Sequence, residues 1–229
     1  MSKHSKSYLA ELFGTFAFVF IGAGSIIVNN LPGIEIGLLG IAVAHGLALS
    51  IAVTATMNTS GGHINPAVTL GLCSIGKCKL STAVGLIISQ LTGAALAGFL
   101  LYSIFPMDVA KGVSYGTPML GDGVTTKVGL MIEGIATALL AMAIYGTAAS
   151  SKKPEGIGGF GVGLTVASLI LVIGPLTGAA MNPARHFGVA LFSGQFPEQW
   201  LYWLGPVIGA VVGFKIFSCV FEDKTEEEE

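Results

Sequence analysis

Charge is what this sequence has least of. Of 229 residues only 10% are Asp, Glu, Lys or Arg, and Arg185 is the sole arginine. A soluble globular domain carries about 25% charged residues, because most of its exterior must be solvated. That scarcity excludes an ordinary water-facing surface. A hydrophobic share of 52% and a mean hydropathy of +0.78 point instead to a chain whose outer surface meets lipid. Cysteine is sparse as well. Cys73, Cys78 and Cys219 show no metal-ligand spacing, so they read as small apolar filler, and neither metal nor cofactor is expected. Four histidines and few acids form no nucleophile triad, which argues against an enzyme. The start of the chain lacks a signal-peptide cleavage pattern, so its first apolar run reads as a retained span. The net charge of −2 misleads, since much of the negative charge sits in residues 222–229. That acidic run reads as a solvated cytoplasmic tail with no nucleic-acid partner.

Long apolar stretches are what the chain has instead. They run from Tyr8 to Val28, Ile36 to Met57, Leu80 to Ile104, Val128 to Thr147, Ile157 to Ile173 and Trp200 to Phe221. About 20 helical residues cross a hydrocarbon core of about 30 Å, and helices are required because an open sheet edge in lipid leaves backbone groups unpaired. The fifth stretch is short by this measure. The 33 glycines suit close packing of such helices, and Gly205, Gly209 and Gly213 form a small-residue face on the sixth. Lys3, Lys6, Lys77, Lys79, Lys152 and Lys153 fall on one side of a six-span arrangement, which places both termini in the cytoplasm. Trp200, Tyr202 and Trp203 fit an interfacial aromatic anchor.

Two further apolar pieces are too short to span. Both open on the same tripeptide, Asn65-Pro66-Ala67 and Asn182-Pro183-Ala184. Asparagine is a favoured helix N-cap and proline suits the first helical position, so each reads as the start of a short half-helix. The two occupy corresponding places in halves of three spans each, and the second half therefore enters from the opposite side. The expected fold is all-α: six transmembrane helices plus two re-entrant half-helices in an inverted repeat, roughly 8–110 and 127–221, within one domain of residues 1–221. Interrupted segments in corresponding positions mark a midplane site. There the two helix N-termini would concentrate partial positive charge, and the asparagine amides would orient a passing water against a continuous proton chain. Each half also places a glutamate in its first apolar run, Glu11 and Glu133. A buried carboxylate needs partners, and both are read as bracing the re-entrant loops by accepting amide hydrogens.

Beyond the tripeptides, the segments Ala10–Thr15, Ser60–Thr69, Ser89–Ala94, Met181–Arg185 and Tyr202–Pro206 resemble the aquaporin, or major intrinsic protein, family along essentially the whole chain. The resemblance implies a homotetramer in the lipid bilayer with one pore per protomer, passing water passively while excluding protons and ions. It also implies a selectivity filter made by His45, Ile170, Ala179 and Arg185. That set departs from both the strict water filter and the glycerol filter and is similar to filters of plant tonoplast intrinsic proteins. Arg185 would repel cations and donate hydrogen bonds to solute oxygen. Ile170 and Ala179 widen the opening, so ammonia, urea or glycerol could accompany water. From its surroundings alone His45 is equally a helix-packing residue. His63 either lines the cytoplasmic pore or braces its loop. His186, directly after the arginine, is unusual for either subgroup. The tonoplast-like filter points to a vacuolar membrane, whereas the lean loops suit a cell membrane.

Overall fold

The computed structural model of the chain describes residues 1–150, 154, 156–196 and 198–221. Lys152, Lys153 and the acidic tail 222–229 lie outside the described residues. Six of the helices are long and apolar enough to cross a membrane: α1 (Lys3–Asn29), α2 (Gly37–Ser60), α4 (Leu80–Ile104), α6 (Thr126–Ile144), α7 (Gly158–Thr177) and α9 (Leu201–Phe221). A π-helical turn, Tyr145–Ala149, prolongs α6. Two short helices, α3 (Pro66–Ser74) and α8 (Pro183–Ser193), are the half-helices, and α5 (Met107–Gly112) lies in the connection between the repeats.

Local chemistry sets the ends of these elements. Ser2 caps α1 by accepting from the Ser5 amide, and Thr125 caps α6 by accepting from the Val128 amide. Gly61 and Gly178 end α2 and α7 in the left-handed conformation, which glycine adopts without steric cost. Helix α7 runs past the short apolar stretch expected for it, to Thr177. Pro175 sits in its last turn, where a missing amide costs one bond and does not break the helix. The Gly121 amide serves the helix's C-terminal end by donating to the Leu176 carbonyl at 2.9 Å.

The helices pack in symmetry-related pairs: α1 with α4 and α6 with α9, α1 with α2 and α6 with α7, and α3 with α9 and α8 with α4. The α2–α7 contact joins the halves. Glycine makes the crossings close. A Cβ at Gly93 would overlap the Leu12 carbonyl, one at Gly209 the Gly134 carbonyl, and one at Gly98 the Gly188 carbonyl. With apolar lipid outside, such backbone proximity and its dispersion contacts hold a bundle together. The outward faces carry exposed Phe13, Ile51, Ile88, Met131 and Val172, while the interior admits buried polar groups.

Candidate functional site

Those buried polar groups converge on the loops that precede α3 and α8. Glu11 is fully buried and meets four donors. Its Oε1 accepts from the Ser60 hydroxyl at 2.6 Å and the His63 amide at 2.9 Å. Its Oε2 accepts from the Ile64 amide at 2.6 Å and Gln90 Nε2 at 2.7 Å. Glu133, equally buried, repeats the pattern: Oε1 accepts from the Thr177 hydroxyl at 2.6 Å and the Ala180 amide at 3.0 Å, and Oε2 from the Met181 amide at 2.6 Å. These bonds hold backbone that is otherwise unfavourable. Ile64, Ala179 and Met181 lie at φ of 56°, 49° and 49°, a region that costs L-residues roughly 1–2 kcal/mol each.

The reversed loops deliver the two asparagines to the centre with their roles divided. Asn65 Oδ1 caps α3 by accepting from the Ala67 amide at 2.8 Å, and its Nδ2 donates to the Met181 carbonyl at 2.8 Å. Asn182 Oδ1 caps α8 by accepting from the Ala184 and Arg185 amides at 3.0 and 3.2 Å, and its Nδ2 donates to the Ile64 carbonyl at 2.9 Å. Each half-helix is thus tied across the repeat to the other's loop, with N-termini together. A side-chain amide has two donor hydrogens, so one on each asparagine remains for the lumen. Pro66, Ala67, Pro183 and Ala184 form the first helical turns behind them and are buried.

Arg185 emerges one residue later, buried among apolar walls. Its Nη1 donates to the Gly116 carbonyl at 2.8 Å and its Nη2 approaches His45 Nε2 at 3.3 Å, while its Nε has no protein partner. Arginine only donates, so His45 Nε2 is the acceptor there. The imidazole proton is therefore on Nδ1, which donates to the Ile41 carbonyl at 2.9 Å. Both ring nitrogens of His45 are engaged, and the residue offers the lumen only its carbon edge. Gly22 makes room for that ring, since a Cβ there would stand 2.7 Å from Nε2. Gly116 closes the turn Ser114–Gly116, whose three residues have φ of 46°, 54° and 74°.

Two cavities bracket this point. One runs past His63, Asn65, Val68, Phe18, Val162 and Asn182; the other opens past Thr117, Pro118, Leu38, Gly174 and Arg185. His45 and Ile170 line both, so the two cavities meet beside them, with Ala179 on the first cavity's wall. His63 lines that first cavity and also approaches the Thr69 hydroxyl through Nδ1 at 3.1 Å. That hydroxyl already donates to the Asn65 carbonyl at 3.0 Å, so His63 Nδ1 is the donor and Nε2 is left as an acceptor. The ring both borders the cavity and steadies the loop.

The structure thus brings together every residue singled out from the sequence at this site, and it adds partners that the sequence did not reveal. Gly116 and Gly22 carried no local signal. Tyr202 is not an interfacial anchor: it is fully buried and donates its hydroxyl to the Thr177 carbonyl at 2.9 Å, whereas Trp200 beside it is exposed. Their positions could have separated the two, since Trp200 precedes α9 and residues two apart on a helix face different directions.

Comparison with known proteins agrees with this architecture. The family described as Major intrinsic protein matches residues 1–217. Aquaporin TIP2-1 of Arabidopsis thaliana is 40% identical over 228 residues, covering 96% of this chain and 89% of its own length. Aquaporin TIP4-4 of Zea mays is 39% identical over 226 residues, covering 94% and 86%. Among solved structures, the aquaglyceroporin from Plasmodium falciparum superposes with a TM-score of 0.82 over 95% of this chain and 96% of that one. Its sequence identity is 22%, so this likeness speaks for the fold.

Proposed function

This chain belongs to the major intrinsic protein family, and on that premise we propose that it is a passive water channel that excludes protons and other ions. The observation that carries the reading is the pair of cross-tied asparagines, Asn65 and Asn182, each with one amide hydrogen left at the meeting point of two helix N-termini. A water there accepts from both amides and turns its hydrogens outward, which breaks a proton wire, while the facing dipoles repel cations. Arg185 repeats the exclusion at the constriction.

A second reading has its own observation. With both nitrogens of His45 engaged and Ile170 and Ala179 apolar, Arg185 supplies nearly all the polar character of the filter. A small neutral solute such as ammonia, urea or glycerol then meets an aliphatic wall and one fixed donor. The channel reading further includes a homotetramer with a pore in each protomer and cytoplasmic termini, supported by the lysines at the α1 and α3–α4 ends. It also includes a cell or vacuolar membrane location.

Stopped-flow light scattering on reconstituted vesicles tests the proposal, with osmotic shrinkage for water and matched gradients for each solute. Water permeability well above that of empty vesicles is expected, and its absence in intact assemblies refutes the reading. Replacing His45→Phe together with Ile170→His should lower any larger-solute flux, and an unchanged flux refutes the filter assignment.

A further inference from the structure

One buried group has no part in the passage described above. His186, the residue after Arg185, is fully buried, and neither ring nitrogen has a hydrogen-bond partner. Its ring stacks on Tyr202 with centroids 4.2 Å apart and planes 18° from parallel. The Pro118 carbonyl and the Gln199 side chain flank it, and Gln199 Oε1 is itself buried and unpartnered. Buried polar groups are almost always paired, and these three buried atoms have only each other and the Pro118 carbonyl to pair with.

We propose that His186 is a positioning residue for Arg185 and that taking up a proton on its ring narrows the filter. A neutral imidazole has one donor and one acceptor, so beside the Pro118 carbonyl and Gln199 Oε1, in the amide orientation seen here, one nitrogen is mismatched until Gln199 turns its NH2 group toward it. An imidazolium has two donors, and the pocket offers it two acceptors, Gln199 Oε1 and the Pro118 carbonyl. Solvent is at hand, because Pro118 also lines the outer cavity.

The consequence reaches the lumen by two short routes. Pro118 lies two residues after Gly116, whose carbonyl holds Arg185 Nη1, so drawing Pro118 toward the ring loosens that hold. The new positive charge also repels the neighbouring guanidinium, whose place beside His45 borders the outer cavity. Around the ring, the charged and titratable groups are Arg185 on its own helix and Tyr202 on α9. Glu133 of α6 and Glu198 act on Tyr202. Helix α7 presents none, and Tyr102 of α4 lies against Tyr115 and Phe192 instead.

This inference rests on the channel reading, and one experiment separates the two. Water permeability of vesicles holding the full chain is measured as the outer pH falls from about 7.5 to about 4, a span that starts above the ordinary imidazole value. Wild-type permeability should fall by about threefold or more, and His186→Gln should remove that dependence while still conducting. Gln199→Glu places a carboxylate against the ring, favours the protonated form, and should move the midpoint to higher pH. If His186→Gln does not fold, His186→Ser serves the same purpose. A pH response that persists without His186, an unresponsive wild type, or an unmoved midpoint in Gln199→Glu each overturns the inference while leaving the channel intact. Wild-type vesicles no more permeable to water than empty ones overturn the channel reading itself.

Discussion

Substituting Glu11→Gln keeps the shape of a buried side chain and changes only what it can accept. Four donors converge on the carboxylate, whereas glutamine presents one oxygen and one NH2 group. If the NH2 takes the place of Oε1, the Ser60 hydroxyl can rotate to accept, but the His63 amide then faces hydrogens. If it takes the place of Oε2, Gln90 can turn its own amide, but the Ile64 amide is stranded. Either way one buried backbone N–H loses its partner, at a cost of about 1–3 kcal/mol. The remaining bonds fall from charge-assisted to neutral strength, roughly 1 kcal/mol apiece. Relief from burying a charge offsets part of this. The net loss works out at about 3 kcal/mol, and Glu133→Gln should cost a similar amount, because Thr177 can rotate while the Ala180 or Met181 amide cannot. Equilibrium unfolding in mixed micelles, followed by the fluorescence of Trp200 and Trp203, measures it. A change below about 1 kcal/mol in both variants would refute the view that the carboxylates hold the strained loops.

Other substitutions probe the neighbouring contacts. Gly22→Ala places a methyl 2.7 Å from His45 Nε2, so the ring must retreat and Arg185 loses its acceptor; water permeability per folded protomer should change several-fold in the osmotic assay. Asn182→Ala removes a cap worth about 1 kcal/mol together with the tie to the Ile64 carbonyl. It should lower the unfolding midpoint and raise proton leak, read with a pH-sensitive dye sealed in vesicles. Gly209→Ala drives a methyl into the Gly134 carbonyl and should cost about 1–3 kcal/mol by overpacking. Gly134→Ala, whose nearest neighbour would be 3.5 Å away, should be tolerated in the same unfolding measurement.

The two carboxylates and two asparagines show how much of the site can be read without coordinates. A charge inside an apolar run needs partners, and the amides of an irregular loop need acceptors. Pairing the two is close to forced once each half is seen to contain one of each. The fate of His45 could not be read in that way. Its residue type allows either a lumen donor or a packing role, and what consumes Nε2 is a guanidinium 140 residues away. Tyr202 shows the limit of composition. Beside two tryptophans it looks like part of an aromatic belt, yet helix rotation turns it inward to the Thr177 carbonyl.

Sequence alone determined the membrane class, the six spans, the two capped half-helices and their inverted placement. Each follows from local rules, namely hydrophobic length, cap chemistry and the parity of spans. Tertiary structure decided where Arg185 rests, because its anchors are the Gly116 carbonyl in a left-handed turn and an imidazole on another helix. Neither anchor has a signature in the local chain. It also decided that His186 is buried against Tyr202 beside Pro118 and Gln199, since burial and stacking are properties of the packed bundle and of no single segment.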